Sequence, residues 1–128
     1  MKRVLLIDDD EAVAAALSLV LRGAGYDVVT APGGREGVRL FRRRAFDLVV
    51  TDMIMPEQDG VETIVALRRL RADVQIVAIS SGGEMLGTEY LGNLVRKLGV
   101  TRLLAKPCTP AAFLEAVAGA VNQVDSAA

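Results

Sequence analysis

Histidine is absent from this sequence. That excludes a Ser-His-Asp or Cys-His catalytic site, a His-ligated metal and a phosphohistidine carried by this chain; if phosphate chemistry occurs here, the donor histidine belongs to another molecule. Cysteine is nearly absent too. Cys108 stands alone, so no disulfide can close within the chain, and with no apolar segment after a basic start a reducing, cytoplasmic setting is expected. Cys108 itself reads as a small, partly buried residue after Pro107. Long apolar runs are also missing: "AVAAALSLVL", residues 12–21, falls short of the roughly 20 residues that cross a bilayer. Nor does one sign of charge dominate. With 15 basic and 16 acidic residues the net charge is -1, so no global field draws in nucleic acid or an anionic membrane, and neither is expected as a direct partner.

What is present is a chain of 128 residues, 52% of them hydrophobic, enough for one domain with a substantial core. That domain is expected over 1–122, with 123–128 as a C-terminal tail; no linker, repeat or low-complexity segment divides it. The apolar runs "VLLI" (4–7), "DLVV" (47–50), "QIVAI" (75–79) and "RLLA" (102–105) lack in/out alternation, as strands buried on both faces of a parallel sheet do. A weaker run, "DVVT" (27–30), makes a fifth. Helical patterns lie between and after them, over Glu11 to Arg22, Gly34 to Arg44, Val61 to Arg71, about Glu89 to Leu98, and Pro110 to Asn122, several closed by glycine just past the last turn. Five β-α repeats joined by right-handed crossovers place helices on both faces of one sheet, a doubly wound α/β domain.

In such sheets ligands sit beyond the carboxyl ends of the strands. The first run ends in Asp8, Asp9 and Asp10, the third in Asp52, the fourth in Ser80 and Ser81, and the fifth in Lys106 before Pro107. Each has an ordinary explanation taken singly: Asp9 or Asp10 as the cap of the first helix, Ser80 opening a glycine-rich turn, Lys106-Pro107 an exposed turn. Together they put acids, a hydroxyl and a lysine on one rim. Two like charges about 4 Å apart interact by about 4 kcal/mol at an effective dielectric near 20, so the acids call for a counter-cation. An all-oxygen ligand set favours a hard ion such as Mg2+, and Lys106 adds a second positive charge. A carboxylate beside two cations and a hydroxyl is the equipment for phosphoryl transfer to Asp52.

The stretches "VLLIDDDE", "DLVVTDMIMPEQDG", "VAISSGG" and "LLAKP" resemble the receiver domain of two-component response regulators over nearly the whole chain. The resemblance implies a flavodoxin-like (βα)5 fold with five parallel strands in the order 2-1-3-4-5. It implies Asp8 and Asp9 as the acidic pair that binds Mg2+ with Asp52 and the backbone carbonyl of Ile54, and Asp52 as phosphoacceptor. Ser80 is then the hydroxyl that follows the phosphoryl group, Lys106 the site lysine, and Lys106-Pro107 a cis bond. Pro56, Asp59 and Gly60 fit the loop into the third helix. Partners implied are a sensor histidine kinase or histidine phosphotransfer protein, with output through a target protein or a domain not present here and room for a phosphorylation-dependent dimer. Such a chain is a signalling switch rather than an enzyme.

Departures from that pattern are informative. Leu103 stands where an aromatic switch residue is common, Ser81 replaces a small apolar residue, and Cys108 replaces a common Phe. Ile54 and Gly82, at the positions that tune phosphoryl loss, offer no polar side chain to an attacking water. The glycine-rich stretch after Ser80 is the expected mobile element, and Tyr90, Arg96, Lys97 and Arg102 mark the expected switching face. Arg35, Arg39, Arg42 to Arg44, Arg68, Arg69 and Arg71 read as solvated helix faces. Three other readings stay open at this point: a haloacid dehalogenase-like phosphoaspartyl phosphatase built on Asp8-x-Asp10, a flavin or nucleotide binder of flavodoxin topology, and a receiver-like interaction module that works without phosphorylation.

Overall fold

Five parallel strands alternate with helices in the computed structural model, which describes residues 1–53, 55, 60–81, 93 and 96–127, excepting the side chains of Ser81 and of 123–127. The elements run β1 (Arg3–Ile7), α1 (Glu11–Gly23), β2 (Asp27–Ala31), α2 (Gly34–Arg43), β3 (Leu48–Asp52), α3 (Gly60–Leu70), β4 (Ile76–Ser81), β5 (Arg102–Lys106) and α4 (Pro110–Ala127). The sheet order is β2-β1-β3-β4-β5, as the resemblance implies. Of the helix expected over Glu89 to Leu98, the described part comprises helical Asn93, Arg96 and Lys97, and Leu98 in the turn that follows.

The apolar runs become strands because both of their faces are covered. Leu5, Ile7 and Val49 pack with Phe41 of α2 and Ile64 and Leu67 of α3 on one side. Val4, Leu6, Leu48 and Val50 pack with Leu21 of α1 and Phe113, Val117 and Ala120 of α4 on the other. Continuous burial therefore holds for β1 from Val4 onward and for β3, and fails for β5, where Arg102, Leu103 and Ala105 are exposed. The reason is position: β5 pairs only with β4 and forms the edge of the sheet.

The last helix passes Asn122, where the sequence pattern ended it, and continues to Ala127. Residues 123–127 contain neither glycine nor proline, so nothing in their backbone chemistry stops the helix. Arg68 and Arg71 also differ from the solvated role expected of them. Arg68 donates to the carbonyls of Ala72 (3.0 Å), Leu98 (3.1 Å) and Gly99 (2.6 Å) and to that of Val74, tying the end of α3 to the turn that enters β5. Burial pushes its guanidinium below the ordinary arginine value, with Asp73 opposing. Arg71 donates to Phe46 O at 2.8 Å and lies 5.3 Å over the Phe41 ring.

Candidate functional site: an acidic rim bridged by a lysine

Neighbouring strands deliver the polar residues to one edge through their register. Ile7 lies beside Thr51, Asp52 beside Ile79, and Ser81 beside Lys106. Asp8 follows the end of β1, Asp52 ends β3, and Lys106 ends β5. Asp8 and Asp52 are buried, at 3% and 4% exposure, whereas Asp9 is open to solvent. One carboxylate oxygen from each of Asp8, Asp9 and Asp52 lies within 4.8 Å of the others.

The bridge is Lys106, whose Nζ donates to Asp8 Oδ2 and to Asp52 Oδ2, both at 3.2 Å. Burial alone would lower the ammonium's pKa, but Asp52 and Asp8 overcome it and raise it above the usual lysine value. Lys106 is therefore a fixed positive charge at neutral pH. Against three carboxylates it leaves the cluster two charges negative, so an added cation is favoured.

Asp8 is held by backbone as well. Its N–H donates to Ala31 O at 3.1 Å, and its Oδ1 accepts from the Asp10 N–H at 2.9 Å. The Asp10 side chain caps α1 by accepting from the N–H groups of Ala12 and Val13 at 3.0 and 3.2 Å. The third acid of the run thus belongs to the helix. Its signal in the sequence was its place directly before Glu11, which left Asp9 and Asp10 as equal candidates.

Ser80 Oγ is buried with no hydrogen-bond partner among the described residues. An unsatisfied buried hydroxyl costs about 1–3 kcal/mol, and this one lies on the strand that pairs with the end of β3 at Asp52. The exit from Asp52 is closely built: Met53 N–H donates to Ile79 O, and Gly60 N–H donates to Met53 O, each at 2.9 Å. A Cβ on Gly60 would stand 2.6 Å from Met53 Cα and 2.9 Å from Asp52 O, so only glycine fits there. The Lys106-Pro107 bond is cis.

Leu103 is 37% exposed on β5, in register with Ala78. Ile54, Gly82, Pro56, Asp59 and Tyr90 lie outside the described residues. A feature the sequence did not disclose is an open cleft of about 630 Å3 between α1 and the end of β2, lined by Asp8, Glu11, Ser18, Leu19, Arg22 and Pro32 among others. It borders the acidic rim. No helix among the described residues is long and apolar enough to cross a membrane.

Comparison with known proteins agrees with this geometry. The family of the response regulator receiver domain matches residues 4–118. The transcriptional regulatory protein GlrR of Escherichia coli (strain K12) is 31% identical over 120 residues, 94% of this chain and 26% of the relative. The alkaline phosphatase synthesis transcriptional regulatory protein PhoP of Bacillus subtilis (strain 168) is 31% identical over 109 residues, 85% of this chain and 44% of the relative. The chain thus spans between a quarter and a half of these relatives' length. Among solved structures, a response regulator receiver domain protein from Clostridium thermocellum aligns over the full length of both chains with a TM-score of 0.91 at 25% identity. The chemotaxis protein CheY4 of Vibrio cholerae aligns over 92% of this chain and 97% of its own, with a TM-score of 0.83 at 28% identity.

Two expectations change. The haloacid dehalogenase reading needed Asp8 and Asp10 as a working pair, but Asp10 is the helix cap and the family match is to receivers. The expectation of no nucleic-acid binding is dropped, because both relatives bear the names of transcriptional regulators. The chain belongs to the response regulator receiver domain family, the signalling switches of two-component systems.

Proposed function

We propose that Asp52 takes a phosphoryl group from a phosphohistidine on a sensor histidine kinase or histidine phosphotransfer protein. The observation that supports this most directly is the convergence at Lys106, whose Nζ lies 3.2 Å from both Asp8 and Asp52. A carboxylate oxygen of Asp52 forms the new P–O bond as the P–N bond breaks. The bonding pair leaves with the imidazole, which takes up a proton, and the product is an acyl phosphate on Asp52.

Asp52 is the acceptor among the three acids for reasons of position. Asp8 has one oxygen on the Asp10 N–H and the other on Lys106, and Asp9 faces solvent. Asp52 ends the central strand beside β4, which carries Ser80. Lys106 neutralises one oxygen of the transferring group, and the orphaned Ser80 hydroxyl donates to another once the group is in place.

The donor set fits Mg2+: three carboxylates with no histidine or thiolate favour a hard ion. Asp8, Asp9 and Asp52 would hold it, with the Ile54 carbonyl as the family resemblance implies, and it would supply positive charge against the transferring phosphoryl group. Loss of the phosphoryl group proceeds without side-chain help from Ile54 and Gly82, which carry no polar group. Output runs through a cytoplasmic protein target, a further domain or a phosphorylation-dependent dimer. The face that changes includes exposed Arg96, Lys97 and Arg102 with Tyr90, and Leu103 in place of an aromatic switch residue.

The test is intact mass after incubation with acetyl phosphate, with and without Mg2+, on wild type and Asp52→Asn. One Mg2+-dependent phosphoryl adduct, missing in the variant, is expected. Equal labelling of the variant would remove Asp52 from the role, and no labelling from either acetyl phosphate or a phosphorylated histidine donor would favour a module that works without phosphorylation.

A further inference from the structure

Helix α2, Gly34–Arg43, buries Gly34, Gly37 and Phe41 and leaves Arg35, Arg39, Arg42 and Arg43 exposed, with Arg44 exposed just beyond its end. Its sequence "GREGVRLFRR" contains one acid, Glu36, and no lysine. Glu36 is paired with Arg39 at 3.1 Å; among the described residues Arg35, Arg42, Arg43 and Arg44 have no ion-pair partner. Nearby acids are engaged elsewhere. Asp47 accepts from the Arg3 N–H at 2.8 Å, and Asp73 pairs with Arg71.

Helix stability does not account for this composition. Arg42 and Arg43 in the last turn do face the negative end of the helix dipole. Arg35 is in the first turn, where the dipole repels a cation. Arg35 with Arg39, and Arg39 with Arg43, are like charges four residues apart, a spacing that destabilises a helix. Glu36 offsets this only at Arg39, so an anion from outside would relieve the rest.

We infer that the exposed arginine face of α2 is a docking surface for an acidic segment of a partner protein. Size and charge favour that occupant. The helix has ten residues, about 15 Å of axis, the length of one short acidic helix or strand. The whole chain carries a net charge of -1, so the surface that the rest of the chain provides, without these arginines, is acidic on balance. A DNA duplex, with one charge about every 1.7 Å, would extend past the helix onto that surface. Guanidinium groups also match carboxylates with paired hydrogen bonds, which lysine cannot do. The proposed docking does not depend on phosphorylation.

The experiment uses a fluorescein-labelled glutamate-rich peptide of helical design, titrated with the whole chain and followed by anisotropy at low and at physiological ionic strength. Amide NMR shifts of the isotope-labelled protein then locate the contact. Arg42→Gln/Arg43→Gln should weaken binding about fivefold, while Arg22→Gln/Arg69→Gln, with the same loss of charge, should not. Thermal melts of both variants confirm folding. Shifts confined to residues 34–44 are expected. Equal weakening by the two variants, shifts spread over the surface, or tighter binding of a labelled DNA duplex at the same ionic strength would each overturn the proposal.

Discussion

Asp10 holds Asp8 in place twice over: its N–H donates to Asp8 Oδ1 at 2.9 Å, and its side chain caps the helix that fixes its own backbone. The consequence is separable by mutation. Asp10→Ala removes the cap, a loss of about 0.5–2 kcal/mol, but keeps the N–H that Asp8 uses. Urea denaturation should show a lower midpoint with unchanged slope, and labelling by acetyl phosphate should persist. Loss of labelling in a folded variant would mean that the Asp10 carboxylate acts in the site.

Ser80 offers an inverted expectation. Its Oγ is buried without a partner among the described residues, so Ser80→Ala should leave the stability of the unphosphorylated protein unchanged or raise it by up to about 1 kcal/mol. The same change should reduce phosphoryl-adduct formation. A clear drop in the melting temperature of the unphosphorylated variant would show that the hydroxyl already has a partner.

Gly60 is constrained by space. The nearest neighbour of an added Cβ is Met53 Cα at 2.6 Å, a backbone atom that cannot rotate away. Gly60→Ala should destabilise by about 1–3 kcal/mol and, because Met53 follows Asp52, lower the yield of adduct as well. Val61→Ala, one residue on, gives the control: loss of stability without a matching loss of labelling at saturating donor.

Lys106 sets a pH dependence whose sign is fixed. Its folded-state pKa is raised above 10.5 once Asp52 and Asp8 have overcome burial. The stabilisation it contributes is therefore complete below the unfolded value and lost as pH rises through the folded one. In metal-free protein the stability gap between wild type and Lys106→Met should be flat from neutral pH to about 10 and close above it. A gap already closing near neutral pH would contradict the ion pairs.

Much of this protein was legible in its sequence because parallel strands buried on both faces must be continuously apolar. "VLLI" and "DLVV" became the middle strands they suggested, and a polar residue directly after such a run can only stand at the sheet's carboxyl edge. Asp8, Asp9, Asp52, Ser80 and Lys106 were found that way. The same rule misread β5, since an edge strand with one neighbour can carry an apolar run and still expose Leu103. The helical pattern ended at Asn122, whereas the last helix runs on through 123–127, residues with neither glycine nor proline to stop it.

Tertiary structure decided the rest. Which aspartate caps α1 depended on the backbone at Asp10, extended at φ -88° and ψ 107°. Whether one lysine could reach two acids depended on Lys106 being 98 and 54 residues away from them in sequence and 3.2 Å away in space. Arg68 and Arg71 have the sequence setting of solvent-facing cations, and only the fold brings carbonyl groups to them. The local chemistry of a residue is written in its type and its neighbours, whereas a distance between strands exists only once the sheet has ordered them.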